Sequence, residues 1–393
     1  MSDQERRPKS KRSYCDGGID CRSENVYRLR YRIGEKQDRK QYSKTFHGTL
    51  DEARKELRRL LRTGDTGEHV APDKATVSEF VKARIDQWES AGTITARTAD
   101  RYRQLLTNQI TPYLGSKVLQ KLRPLDIEEW HTTLRNAGRA DGKGGIAPRT
   151  IGHAHRVLSS ALSDAAENEI VVKNVVKTKS APKVPDEEMI IVQDVPALIE
   201  KLKSGGRLQL LAMVALFTGM RLGEVLALRW SRVDLDKNVI QVREALEETR
   251  NYGTRFKTPK SKAGRRDITL PDVLVNALRD HRKAQLELRM KLGAGKLSND
   301  ALLFADLEGA PLSPIACSKA WGKFASRIGM PAVTFHALRH THASQLIDAG
   351  VDIVTISKRL GHAKPDITLR VYAHLFRKDD GKAAAAINAI LGS

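Results

Sequence analysis

Sustained alternation of apolar and polar residues with a period of two marks one short region near the start, Val26 to Ile33 (VYRLRYRI) and Gln41 to Phe46, and returns only in brief segments much later. From about Thr76 to Asn174 apolar residues recur at helical spacing instead. A chain patterned this way cannot close one large sheet. It must build a small sheet first and helices afterwards. The polar run GEKQDRK turns the chain between the alternating segments, and a short strand about Ser13 to Cys15 is expected to add a third. Thr49 and Glu52 form a capping-box pair, and Leu50, Ala53, Leu57, Leu60 and Leu61 then share one helical face. The first unit is therefore a small three-stranded sheet backed by one helix. Residues 1–12 (MSDQERRPKSKR) are polar, basic and without apolar periodicity, which predicts a flexible tail.

A Gly-, Pro- and Asp-containing linker, TGDTGEHVAPDKA, precedes the helical stretch. The repeats lie in SEFVKARIDQWES, TARTADRYRQLLTNQITPYLG, PLDIEEWHTTLRNA and PRTIGHAHRVLSSALSDAAEN. Gly115, Pro124 and the loop GRADGKGGIAP interrupt them, giving four or five helices. Val175 to Glu187 (VVKTKSAPKVPDE) is rich in Lys and Pro with little to bury, so it reads as a linker, placed at 175–190. From Ile191 the pattern is mostly helical. Strands at Val239–Val242 and Arg266–Leu270, joined by the loop RNYGTRFKTPKSKAG, form a small hairpin sheet. A length of 393 residues exceeds one ordinary core. The expected fold class is α+β, mainly α and multidomain, with domains at 1–66, 76–174 and 191–393.

Lys and Arg number 68 against 47 Asp and Glu, a net charge of +21, which calls for a polyanionic partner. No apolar run reaches membrane-spanning length, no hydrophobic segment lies near the N-terminus, and no lipidation signal is present. Nucleic acid, rather than a membrane, is the expected partner. Cys15, Cys21 and Cys317 contain no CxxC pair, so neither a disulfide framework nor a metal site is expected, and a cytoplasmic location follows.

Down the C-terminal half, chemistry-bearing residues occur in a fixed order: Arg221 in TGMRLGE, Lys262 in SKAGRR, His336 and Arg339 in HALRHTH, His362 in RLGH, and Tyr372 in LRVYAHL. Two guanidiniums can clamp phosphate oxygens, a lysine and imidazoles can move protons, and a phenol can attack phosphorus. No cofactor and no metal is needed. Arg221 falls at a helix start beside the break at Gly219. Glu224, one turn on, either orients Arg221 or a neighbouring His, or serves only as a helix-start carboxylate. A spacing of three puts His336 and Arg339 on one helical face, and the nearby His340 and His342 are read as decoys.

This order, each member within its flanking phrase, resembles the tyrosine recombinases of the phage integrase family, most strongly from about Leu211 to Phe376. The resemblance implies that Tyr372 attacks a scissile DNA phosphate, forming a 3′-phosphotyrosyl bond and freeing a 5′ hydroxyl, and that strand exchange passes through a Holliday junction. Arg221 and Arg339 would neutralise the transition state, and Lys262 would protonate the leaving oxygen, with Lys257 and Lys260 as alternatives in the same loop. His336 would take the phenol proton or only position the tyrosine, and His362 would donate to a phosphate oxygen. The first domain would be an arm-type DNA-binding domain, with Arg28, Arg30, Arg32, Lys40 and Lys44 facing the groove. The helical region would be a core-binding domain, touching the backbone through Arg97, Arg101, Lys117, Lys121, Arg149 and Arg156.

Also implied are double-stranded DNA at core and arm attachment sites, a homotetramer, a DNA-bending host factor and a directionality factor, acting at the nucleoid of a bacterial host. The apolar tail 383–393 would dock on a neighbouring subunit or pack in cis. Two rival classes use the same residues differently. A type IB topoisomerase-like enzyme would relax DNA as a monomer, and a non-catalytic DNA-binding regulator would lack the covalent step. The tail and the first domain argue against the former, and the complete residue set against the latter.

Overall fold

A computed structural model describes residues 17–33, 40–65, 73–139, 141–185, 188–259, 261–373 and 380–391, and the chain divides into two compact units, 1–184 and 185–393. The expected flexible tail and the strand expected at Ser13–Cys15 lie outside the described residues. The sheet's outer strand is instead β1, Gly18–Ser23, which pairs antiparallel with β2, Val26–Ile33, through a two-residue turn. Asn25 holds φ 58° in that turn, a conformation its side chain tolerates. β2 pairs in turn with β3, Lys40–His47. Helix α1, Leu50–Asp65, starts where Thr49 donates its backbone N–H to Glu52 Oε2 at 2.8 Å.

Period-two geometry divides this sheet cleanly. Leu29 and Tyr31 are buried against Ala53, Leu57 and Leu60 of α1. Arg28, Arg30 and Arg32 take the opposite face, across from Thr45, Ser43 and Gln41. Lys44 does not join them. It sits opposite Leu29 on the helix side and pairs with Glu56 at 2.7 Å. The side chain of Lys40 lies outside the described residues.

The helical region contains α2, Val77–Ser90; α3, Ala96–Leu105; a π turn, Leu106–Ile110, leading into α4, Thr111–Leu114; α5, Pro124–Ala137; and α6, Pro148–Glu167. Thr76 and Glu79 cap α2 reciprocally, and proline opens α5 and α6 where its missing N–H costs nothing. Apolar faces of α2, α5 and α6 meet in one core around Ile85, Trp130, Leu134 and Leu158. The linker expected from residue 175 begins later. Asn174 caps a 3-10 turn, Val175–Thr178, and Val176 is fully buried in the helical core.

Of the basic residues singled out here, Arg101, Arg149 and Arg156 surround His153, whose pKa burial and these three charges lower. Arg97 lies one turn before Arg101 on α3. Lys121 is exposed on a 3-10 turn. Lys117, by contrast, is tied at 2.8 Å to the buried Asp126, whose carboxyl Lys117 and Arg123 hold down at about 2 against the cost of burial.

In the same core, His155 Nδ1 and His131 Nε2 lie 3.2 Å apart on α6 and α5, and burial beside His155 lowers His131 to about 4. The folded state therefore prefers the neutral ring. As pH falls below about 6.5 the unfolded chain takes the proton first, so stability present above that pH is lost down to about 4, on the order of 2–3 kcal/mol. Hydrogen exchange of the α5 and α6 amides should accelerate in acid relative to a His131→Gln variant compared at each pH. Equal pH dependence in the two proteins would refute this.

The second unit places α7, Val195–Leu202, and the apolar α8, Arg207–Thr218, at its centre, with the short α9, Leu222–Leu226, following directly. Strands β4, Val233–Asp234, and β5, Val239–Val242, are followed by β6, Ala245–Thr249, β7, Gly253–Lys257, and β8, Arg266–Thr269. β5 pairs with β8 as expected, but the connection is not a plain loop. β6 and β7 form a second hairpin within it. Then come α10, Asp272–Lys291; α11, Pro314–Arg327; α12, Phe335–Asp348; α13, Ile353–Leu360; and α14, Pro365–Tyr372. The tail helix α15 starts at Asp380 and runs to Leu391, with Ile387, Ile390 and Leu391 exposed.

Candidate active site

Two left-handed glycines set the geometry. Gly219 (φ 67°) ends α8, and a Cβ there would lie 2.7 Å from the His342 ring and 2.8 Å from Leu360. Gly361 (φ 71°) ends α13, where a Cβ would meet Arg266 Nη1 at 2.8 Å and the Ala263 carbonyl at 3.1 Å. These close approaches bring the end of α8, the turn Lys262–Gly264 and the His362 segment to one place. Lys262 is exposed on that turn. Lys257 stands on β7 rather than in a loop, sharing Glu247 with Arg255. Lys260 lies outside the described residues.

Arg221 is the N-cap of α9 and keeps 46% of its side chain exposed. Its backbone N–H and its Nη1 donate to the two oxygens of Glu224 at 3.0 and 2.9 Å. Glu224 is 5% exposed and also accepts from Arg266 Nη2 at 2.9 Å. Burial would push this carboxyl up, but the charges of Arg266 and Arg221 outweigh it and hold it below the ordinary range. Of the three roles open to Glu224, this geometry selects orientation of Arg221, with Arg266 as a second, buried partner.

Arg339 is 2% exposed. It donates from Nη1 to the Gly219 carbonyl at 2.6 Å and from Nη2 to the Leu360 carbonyl at 2.8 Å, while Nη2 also lies 2.9 Å from His362 Nε2. Burial and the Arg221 charge bring its guanidinium down to about 9, leaving it charged at neutral pH. A guanidinium only donates, so His362 Nε2 accepts and the ring's proton sits on Nδ1, 2.7 Å from Thr368 Oγ1. Burial and Arg339 lower His362 to about 4. In this arrangement its Nε2 orients Arg339 rather than offering a proton to a phosphate.

The reading of His340 as a decoy does not hold. Its Nδ1 lies 2.8 Å from the Tyr372 hydroxyl, and its ring meets His336 edge-on at 4.5 Å. Residues at i and i+4 share a helical face just as i and i+3 do, so position 340 belonged with 336 and 339 from the spacing alone. His342, two residues further, turns away and accepts from Arg359 Nε at 3.0 Å. Tyr372, 1% exposed at the end of α14, has its phenol pushed up to about 12 by burial, against the opposing pull of Arg339. Burial with Arg339 and Arg221 lowers His336, and burial with His336 and Arg339 lowers His340 to about 4. Arg266 has no local signal, because its partners Glu224 and Arg359 are far away in sequence, and Thr368, though near His362 in the chain, stands in no motif that marks it.

The site thus gathers two guanidiniums, neutral imidazoles and a phenol, able to hold an anion and pass a proton. The phage integrase family profile matches residues 189–379, and the phage integrase N-terminal SAM-like domain profile matches residues 80–135. A XerC-like tyrosine recombinase of Caldanaerobacter subterraneus is 26% identical over 92% of this chain and 95% of its own length. A prophage phiRv2 integrase of Mycobacterium tuberculosis is 26% identical over 88% of each chain. Among solved structures, the Tn1549 transposon integrase bound to transposon right-end DNA covers 81% of this chain and 100% of its own, at 21% identity and TM-score 0.64. A lambda integrase dimer bound to a core site covers 93% of this chain and 96% of its own, at 16% identity and TM-score 0.53.

Two integrase domains matched in chain order define the class, a tyrosine-type site-specific DNA recombinase. The chain belongs to the phage integrase family of tyrosine recombinases.

Proposed function

We propose that this recombinase integrates and excises a phage or other mobile element, using Tyr372 as nucleophile within the pocket of Arg221, Arg339 and His362. The observation that carries the assignment is the Tyr372 hydroxyl itself. It is the phenol drawn into the same buried cluster as Arg339, held 2.8 Å from an imidazole on the helix that carries that arginine. Attack on phosphorus forms the Tyr372–phosphate bond and breaks the P–O5′ bond, so the ester keeps the energy for ligation. Arg221 and Arg339 stabilise charge on the phosphoryl oxygens. Lys262, on the turn beside Gly361, is the general acid for the 5′ oxygen in this reading. Burial of the phenol requires the end of α14 to shift before a phosphate can reach it.

Double-stranded DNA is the substrate. Arg28, Arg30 and Arg32 on the open sheet face suit arm sites, and Arg97, Arg101, Arg149 and Arg156 with Lys121 suit the core-site backbone. The exposed apolar residues of α15 suit docking on a neighbouring copy within a tetramer. A bending factor and a directionality factor complete the reading. Among the described residues no helix is long and apolar enough to cross a membrane. Action at the nucleoid is part of this reading, because its substrate is DNA.

Attachment DNA nicked beside the cleavage point, so that the 5′ fragment diffuses away, tests the assignment. Wild-type protein should accumulate as a covalent DNA adduct on a denaturing gel, with the modified peptide containing position 372, and Tyr372→Phe should give none. Tight binding of that DNA without any adduct refutes the assignment. Adduct formation followed by relaxation without recombination between two sites would favour the topoisomerase reading.

A further inference from the structure

We propose that His340, rather than His336, accepts the proton of the Tyr372 hydroxyl as that oxygen bonds to phosphorus. The inference rests on the recombinase reading above and assigns one step within it.

The two imidazoles stand one turn apart on α12 and differ in what they face. His340 Nδ1 is 2.8 Å from the phenol oxygen. Among the described residues no hydrogen bond joins His336 to Tyr372. His336 instead feels the charges of both Arg339 and Arg221, the pair expected to hold the phosphate, whereas His340 feels those of His336 and Arg339. The order along the helix is therefore phosphate side at His336 and nucleophile side at His340.

A neutral imidazole carrying its proton on Nε2 presents a lone pair at Nδ1, and a phenol is a ready donor to it. Among the described residues, the groups facing His340 are His336 and Arg339 on its own helix and Tyr372 from α14. No carboxylate stands among these groups, so none of them holds a proton on the ring at neutral pH, and it stays free to accept one. A phenol whose pKa lies near 12 cannot supply enough phenolate by itself.

The step balances without any added reagent. The phenol O–H electron pair forms the O–P bond, the proton passes to His340 Nδ1, and the P–O5′ pair leaves on the 5′ oxygen. That oxygen takes one proton from the general acid. In ligation the 5′ hydroxyl returns its proton to the deprotonated general acid as its oxygen bonds to phosphorus, the phosphotyrosyl bond breaks with its pair on the phenol oxygen, and the His340 imidazolium returns its proton to Tyr372.

His340→Asn separates proton transfer from simple positioning, because an asparagine oxygen can stand near the Nδ1 position and accept a hydrogen bond but cannot carry the proton away. The readout is the single-turnover rate of adduct formation on nicked attachment DNA. His340→Asn and His340→Ala should both be slower than wild type by about 10²-fold or more. With His340→Asn the rate should climb about tenfold per pH unit from neutral to alkaline pH, where wild type is flat. A fluorinated tyrosine of lower pKa at position 372 should rescue His340→Asn and leave wild type little changed.

Full activity in His340→Asn with loss in His340→Ala would overturn proton transfer in favour of positioning. The alkaline dependence and fluorotyrosine rescue appearing in His336→Asn instead would reassign the step to His336. DNA mobility shift and thermal melting check folding, and His340→Gln replaces any variant that melts early. Absence of adduct in wild type would instead refute the recombinase reading, so the two failures are distinguishable.

Discussion

Arg339→Lys is expected to lower the rate of covalent adduct formation by about 10³-fold or more while leaving affinity for attachment DNA nearly unchanged. Arg339 reaches the Gly219 carbonyl, the Leu360 carbonyl and His362 Nε2 with one planar fork. An ammonium is a compact point charge and cannot span those three acceptors. Two of them cap the ends of α8 and α13, so the substitution also frees the segments that carry Arg221 and His362. A second, independent loss follows at the transition state. There a preorganised donor in a dry site contributes about 10²–10³ in rate by itself. Single-turnover rates beside a melting curve separate the two effects. A variant that melts like wild type and still loses the rate locates the effect in the chemistry. A rate within about tenfold of wild type would show that Arg339 is structural and that the phosphate clamp lies elsewhere.

Much of this arrangement was legible in the sequence because its members sit at fixed local spacings. His336 and Arg339 share a helix face, and Arg221 starts a helix two residues past the break at Gly219. The misreadings share a cause. Reading His340 as a decoy overlooks the i+4 direction from His336, and its partner Tyr372 stands 32 residues away. Lys44 and Lys117 are expected from the sequence to meet DNA, but Glu56 across from the sheet and the buried Asp126 claim them. Val176 reads as linker from composition, yet tertiary packing buries it. Within the connection from β5 to β8, the hairpin at Gly253 lacks the strong alternation that announced β2, because its strands alternate weakly between buried and exposed. Short strands of this kind are held by their neighbours more than by their own pattern.

The buried pair Glu224–Arg266 is the part of the site that no local spacing could reveal, and breaking it is expected to have the largest effect on stability. Glu224→Gln leaves the Arg266 guanidinium, which is 8% exposed, without its counter-charge, although its donations to the Arg359 and Gly264 carbonyls remain. Removing one member of such a pair costs about 3–5 kcal/mol, because the remaining charge stays desolvated. Urea unfolding of the second unit, followed by Trp230 and Trp321 fluorescence in a background lacking the other tryptophans, should show that loss. The pair also predicts a pH signature. Because the folded state holds the Glu224 carboxyl below its ordinary range, it contributes stability that is present above the unfolded pKa and is lost as pH falls through the folded one. Glu224→Gln should remove that part of the acid sensitivity. The double variant Glu224→Met with Arg266→Met should recover part of the stability, since neither member of the pair leaves its partner's charge buried although the Arg359 and Gly264 carbonyls lose a donor, but not the cleavage rate, since Arg221 loses the carboxylate that aims it. Stability within about 0.5 kcal/mol of wild type for Glu224→Gln would mean that water reaches Arg266 and that the bridge does not organise the site.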